Sequence, residues 1–243
     1  MIVLFSDFGL AGPYLGQVRA VLGLRAPAVT VIDMLADAPR FDPRAGAYLL
    51  AAYASAYPAG AVILAVVDPG VGTDRPAIVV RAGGRIFVGP GNGLTELVMR
   101  RDPAARVAEI VWRPDALSAS FHGRDLFAPV AADLALGRPV ACRDLPAAAI
   151  ARPDWPDDLA EIVYADRFGN LVTGMRAGTL PPEAVLSVAG RRVHRARTFA
   201  EVPAGGLLWY RNANGLAEIA CNQGSAQKVL SAEIGTRIET APN

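Results

Sequence analysis

Apolar residues near the start of the chain come in short dense runs, broken by glycine, proline and acidic residues. Ile2–Phe5 is one such run. It reads as a strand buried on both faces, because such a strand shows no alternation. Pro13 stands where a first helical residue would, its fixed φ suiting that position, and a helix is expected to about Leu24. Val29–Met34 is a β-branched run and predicts a strand, Arg44–Ala54 a helix, and Val62–Val67 a second buried strand. Ile78–Arg81 and Arg85–Val88 flank Ala-Gly-Gly and predict a hairpin. Leu94–Arg101 reads as a short helix, Val107–Trp112 as a strand and Asp125–Ala135 as a helix. Alternation of this kind predicts an α/β sandwich-type domain, a central sheet with helices on both faces.

The pattern changes after Ala151-Arg-Pro-Asp-Trp-Pro-Asp-Asp158, a proline-rich polar stretch that reads as a linker. Beyond it the chain shows mostly short strands, expected at 160–165, 170–173, 185–188, 190–195, 206–210, 216–220 and 235–239. Their spacing, with glycine, proline and asparagine between them, predicts a small all-β barrel or sandwich. The expected domains are therefore residues 1–152 and 158–243.

Composition narrows the function. With 243 residues, 52% of them hydrophobic, the chain can build a substantial core. A formal net charge of +1 argues against nucleic acid as a partner, since such binders carry a basic patch. The apolar stretch from Ala45 to Val67 is long enough to span a membrane, but Tyr57-Pro-Ala-Gly60 breaks it into helix and strand, so no membrane partner is expected. Cys142 and Cys221 form no CxxC or Cys/His cluster, and two reduced thiols are expected, with no metal site. The first residues read as a strand and not a signal peptide, which leaves the cytoplasm as the expected location.

Three segments could carry chemistry. Asp7, in Ser6-Asp-Phe-Gly9, follows the first strand, where ligands of α/β sheets bind. Its carboxylate can accept two hydrogen bonds from a ribose diol, or it can serve as a turn or cap residue. Asp68, in Val67-Asp-Pro-Gly-Val-Gly-Thr-Asp-Arg75, ends a buried strand, and Arg75 can fold back to pair with it and keep it ionised. That pair suits either a water-binding site or a structural salt bridge closing the loop. The loop lacks the GxxxxGK[ST] spacing of a phosphate cradle. His122, in Ser120-Phe-His-Gly-Arg-Asp125, lies at a helix start among polar residues and could shuttle a proton or satisfy the structure alone. His194, among Arg191, Arg192, Arg195 and Arg197, reads as part of a solvated strand face.

The order of these segments resembles the S-adenosylmethionine hydroxide adenosyltransferases, relatives of the fluorinases and chlorinases. Asp166-Arg-Phe-Gly-Asn170 and Asn212-Ala-Asn-Gly-Leu-Ala-Glu-Ile-Ala-Cys-Asn-Gln-Gly-Ser225 extend the resemblance over nearly the whole chain. It implies an α/β domain followed by a β-barrel domain, and a homotrimer with active sites between subunits. It also implies hydrolysis of S-adenosyl-L-methionine to adenosine and methionine, with no cofactor. Asp68, Arg75 and His122 are then the catalytic residues. Asp7 would bind the ribose diol, Phe168 and Asn170 the nucleoside, and Asp166 the methionine amino end, while Glu218, Cys221 and Gln223 resemble further adenosine contacts. Asn212 and Ala213 fall in the segment that holds the methionine carboxylate.

Within the resemblance, Asp68 stands where halogenases carry tyrosine, and a carboxylate beside a halide would repel it. The alternatives are a chlorinase-type halogenase and a non-catalytic adenosine- or S-adenosylmethionine-binding protein. Three positions depart from the family pattern. Gly12 and Gly91 stand where aspartate is common. Ala213 replaces a serine hydroxyl, worth about 1 kcal/mol as one hydrogen bond.

Overall fold

The computed structural model describes residues 1–241. The chain divides into a unit of Met1–Pro153 and a second unit from Asp154 onward.

The first unit is built on a seven-stranded sheet. Its elements are β1 (Ile2–Ser6), α1 (Tyr14–Arg25), β2 (Val31–Leu35), α2 (Pro43–Tyr53), β3 (Val62–Val66), β4 (Ala77–Ala82), β5 (Arg85–Pro90), α3 (Glu96–Arg100), β6 (Arg106–Ile110), α4 (Ala128–Ala135) and β7 (Cys142–Asp144). The strand order is β2-β1-β3-β5-β4-β6-β7. The first four strands run parallel, and β4, β6 and β7 pair antiparallel. β1 and β3 lie at the centre of the parallel half and are buried throughout.

Successive strand residues point to opposite faces, so both faces need a cover. On one face Leu4, Val62 and Leu64 pack with Leu15, Val18 and Leu22 of α1 and with Val130 and Ala131 of α4. On the other, Phe5 and Val67 approach α2 at Gly46. Asp42 starts α2 by accepting the Ala45 N–H at 2.9 Å, and Pro43 occupies the first turn, where its missing N–H is no loss. The apolar stretch from Ala45 to Val67 thus becomes α2 followed by β3, and among the described residues no helix is long and apolar enough to cross a membrane.

The connection leaving β1 passes through α1 to β2 on one side, and β3 lies on the other. The carboxyl ends of β1 and β3 therefore flank a topological switch point, the place where open α/β sheets bind ligands.

In this first unit three local features differ from the sequence expectation. The helix expected from Asp125 is preceded by one π-helical turn, Gly123–Phe127. Pro13 precedes α1 as its cap and is not its first residue. β7 was not foreseen; its three residues are exposed and form the edge of the sheet, so no apolar pattern marks them.

The second unit contains β8 (Leu159–Ala165), β9 (Leu171–Arg176), β10 (Val185–Val188), β11 (Arg191–Val193), β12 (Leu207–Arg211), β13 (Leu216–Cys221), α5 (Ala226–Leu230) and β14 (Ile238–Ala241). Two antiparallel sheets form, β12-β13-β9-β8 and β11-β10-β14. Single bridges join them at both edges, Glu161 with Arg237 and Arg195 with Trp209. The strands therefore close into a small barrel, which leaves few unpaired edges. Trp209 is fully buried inside it, and its indole N–H donates to the Ala184 carbonyl at 2.8 Å.

Candidate active site

Ser6 and Val66 are register partners at the ends of β1 and β3, so the residues that follow leave the sheet side by side. Asp7 follows the first and Asp68 the second. Asp7 accepts the Phe41 backbone N–H at 3.1 Å. Burial pushes the Asp7 carboxyl above its ordinary value, and the nearby Asp68 charge adds to that effect. Phe41 has a left-handed backbone with φ 58, and its side chain is 75% exposed at the rim of the cleft. A non-glycine residue in that region is strained, and such strain concentrates at functional sites.

The segment from Asp68 to Arg75 folds back on itself. Thr73 Oγ1 donates to the Gly70 carbonyl at 2.7 Å and the Val71 N–H to the Asp68 carbonyl at 3.3 Å. Gly72 has φ +81, and a Cβ there would lie 2.5 Å from the Ala119 carbonyl oxygen. Only glycine lets this loop press against the segment that leads to His122. Arg75 returns to Asp68, its Nε donating to both carboxylate oxygens at 2.7 and 2.9 Å and its Nη2 also reaching Oδ2. The two side chains are 9% and 5% exposed.

Arg75 Nη2 also lies 2.9 Å from His122 Nδ1. The guanidinium thus bridges the carboxylate and the imidazole. Phe127, fully buried, lies beneath both, with the Arg75 Cζ 5.4 Å from its ring centre and the His122 ring edge-on at 6.5 Å. Burial and the Arg75 charge hold the His122 imidazole below its ordinary pKa.

Asp7, Asp68 and His122 line one cleft of about 890 Å³, a volume that accommodates a nucleoside-sized ligand. Phe8, Tyr14 and Phe121 form an aromatic wall, with ring centres 5.3 to 6.4 Å apart. Arg124 lies over Phe121 and is bound by Asp125 and Gln17. An anionic acceptor, a neutral imidazole and a fixed guanidinium beside an apolar wall can hold and polarise a water molecule against an organic ligand.

The remaining candidates lie in the second unit. Asp166 Oδ1 accepts the Phe168 and Asn170 N–H groups at 2.8 and 2.9 Å, and Oδ2 accepts Asn170 Nδ2 at 3.0 Å. This self-closed loop displays the Phe168 side chain, 68% exposed. The loop meets the start of α5, where the Gln227 N–H donates to the Gly169 carbonyl at 2.9 Å. That contact brings the Asp166 loop near the Cys221–Gln223 turn. Cys221 is buried, and Gln223 has a left-handed φ of 55.

Asn212 and Glu218 are both buried and bonded to each other at 2.9 Å. Glu218 also accepts the Tyr210 hydroxyl, and burial together with this carboxylate raises the Tyr210 pKa. Asn212 Oδ1 accepts the N–H groups of Asn214 and Leu216, both at 3.0 Å, which fixes the turn carrying Ala213.

Sequence reasoning passed over Phe41 and Asn92. Asn92 Nδ2 donates to the Val67 carbonyl at 2.8 Å and so steadies the residue before Asp68. Its place in Pro90-Gly-Asn-Gly93 was a usable turn signal. Phe127 closes the Phe-His-Gly-Arg-Asp motif in sequence, but its place beneath Arg75 and His122 has no local signature. The departure at Gly91 has a packing explanation: a Cβ there would meet Pro76 at 2.8 Å and Ile150 at 3.1 Å, so no larger side chain fits.

Comparison with known proteins identifies the family. Residues 2–143 match the SAM hydroxide adenosyltransferase N-terminal domain, and residues 160–239 match the C-terminal domain. A protein of Thermus thermophilus named (R)-S-adenosyl-L-methionine hydrolase is 40% identical, with 96% of each chain covered. One of the same name from Salinispora arenicola is 39% identical, covering 96% of this chain and 94% of that one. Among solved structures, an uncharacterized conserved protein from Thermotoga maritima superposes with a TM-score of 0.82 at 31% identity, covering 98% of both chains. A conserved hypothetical protein from Thermus thermophilus gives 0.77 at 38% identity, covering 99% of both.

Proposed function

The chain belongs to the SAM hydroxide adenosyltransferase family, and from that premise we propose that it hydrolyses (R)-S-adenosyl-L-methionine to adenosine and L-methionine. The observation that carries the proposal is the Asp68–Arg75–His122 cluster at the head of a cleft beside Asp7.

The leaving group is a sulfonium, so methionine departs as a neutral thioether. Its departure requires no proton donor and no Lewis acid, which supports a reaction without a cofactor. Water attacks C5′ in line with the C5′–S bond. Holding it there removes several kcal/mol from the barrier, because the encounter becomes intramolecular. Asp7 serves the ribose diol in this reading. Burial raises its pKa against the pull of backbone N–H donors, and a vicinal diol adds two further donors to the carboxylate.

The residues proposed to handle water all belong to the first unit, and the proposed contacts of Asp166, Phe168, Asn170, Asn212, Ala213, Glu218, Cys221 and Gln223 all belong to the second. A site that needs both is assembled from two units. We place these in neighbouring subunits of a homotrimer, following the family resemblance. A cytoplasmic location is part of the same proposal and is supported by the two free cysteines.

Reaction in oxygen-labelled water tests the chemistry directly. Label is expected in adenosine at O5′ and absent from methionine. Label in methionine, or no adenosine at all, overturns the proposal.

A further inference from the structure

Hydrolysis needs a group that takes the proton of the attacking water, and both Asp68 and His122 are of a type that could. The hydrogen bonds around Arg75 separate them. A guanidinium carries donors only and does not lose its proton in proteins. Its contact with His122 Nδ1 at 2.9 Å therefore requires an unprotonated Nδ1 that accepts. The neutral ring then carries its proton on Nε2.

Asp68 is different. A carboxylate offers about four lone-pair directions. Arg75 takes one on Oδ1 and two on Oδ2, which leaves Oδ1 with capacity for a further bond.

We infer that His122 acts as a hydrogen-bond donor to the water oxygen through Nε2–H, and that Asp68 Oδ1 takes the proton. This rests on the hydrolytic reading above. In the step, a lone pair of the water oxygen forms the O–C5′ bond and the C5′–S electron pair passes to sulfur. One water proton moves to Asp68 Oδ1, from which it is lost to solvent after the products leave. His122 keeps its proton throughout.

Phe127 is the positioning residue of this arrangement. The Arg75 guanidinium lies against its ring, a cation–π contact, and His122 meets its edge. His122 and Phe127 are five residues apart. In a regular α-helix that spacing rotates them about 140° from each other. The π-turn Gly123–Phe127 closes with the Ala128 N–H on the Gly123 carbonyl, five residues back, and so returns the two rings to one side. The π-turn thus gives one ring access to both Arg75 and His122.

¹⁵N NMR of histidine-labelled protein tests the tautomer without turnover. The chain has two histidines, so a His194→Asn variant assigns the pair. The expected spectrum at neutral pH shows Nδ1 of His122 unprotonated and Nε2 protonated. A ring protonated on Nδ1, or on both nitrogens, overturns the inference. Adenosine release is measured on the same sample: its absence defeats the hydrolytic reading, whatever the tautomer.

Substitution separates donor from base. Gln offers N–H without basicity, and Glu offers an acceptor without N–H. His122→Gln is expected to turn over at least about tenfold faster than His122→Glu, within the range that acid–base groups control. The reverse order overturns the donor role. Phe127→Leu is expected to lower kcat with little change in KM and to mix the His122 tautomers. An unchanged kcat and spectrum remove Phe127 from the proposal.

Discussion

Arg75 holds Asp68 and His122 with one side chain, so its replacement leaves two buried groups short of a partner. Breaking a buried pair from one side costs about 3–5 kcal/mol, because the remaining charge stays desolvated. Arg75→Ala is expected to fall in that range in urea denaturation at neutral pH. Asp68→Ala is expected to lose at least about 100-fold in turnover, the usual size of an acid–base contribution, while still binding substrate in calorimetry. Normal turnover by that variant would remove Asp68 from the chemistry.

His122 gives a pH signature of definite sign. Burial first, then Arg75 and Arg113, hold its folded pKa below 6.5, against the opposing pull of Asp68 and Asp125. Protons therefore bind the unfolded chain more readily. The stability from the neutral ring is fully present above pH 6.5 and is lost as pH falls through the lower folded value. Wild type is expected to lose more of its urea midpoint on acidification than His122→Gln does, and equal slopes would contradict this.

At the scale of elements, the two loops that carry Asp68 and His122 depend on one another. Gly72 combines a left-handed φ with a 2.5 Å approach to the Ala119 carbonyl. Gly72→Ala is expected to cost about 1–3 kcal/mol in strain and to lower kcat, because the loop cannot retreat without moving Asp68. Thermal unfolding together with steady-state kinetics checks both effects; a stable, fully active variant would show that the contact can relax.

Strands and helices differ in how far they could be read in advance. β1 and β3 were legible because two-sided burial writes an unbroken apolar run. The β4–β5 turn was legible because Gly83 and Gly84, with φ 55 and 73, mark a two-residue hairpin. β7 and α5 were not: one is three exposed residues, and the other is five residues with only Ala226 and Leu230 buried, too few to write a periodic pattern. The π-turn was hidden as well, since its sequence differs in no obvious way from the first turn of an α-helix.

For the whole molecule, the testable consequence of splitting the proposed site between two units is assembly. The protein is expected to sediment as a trimer at assay concentrations. Dilution that dissociates it is expected to abolish turnover while leaving each chain folded. A fully active monomer in analytical ultracentrifugation would show that one chain suffices.

The sequence by itself determined the strands that buried apolar runs encode, the carboxylates at their carboxyl ends, and the ordered motifs that identify the family. These are local or linear properties, legible because periodicity and motif order survive along the chain. Tertiary structure alone decided which of those residues touch. Arg75 and His122 are 47 residues apart, and Asp7 meets the backbone of Phe41 across 34. Neither contact has a local signature, because each arises only when adjacent strands of the sheet deliver distant loops to one edge. The tautomer of His122 belongs to the same class, since a ring nitrogen is assigned by its neighbour in space and not by its neighbours in the chain.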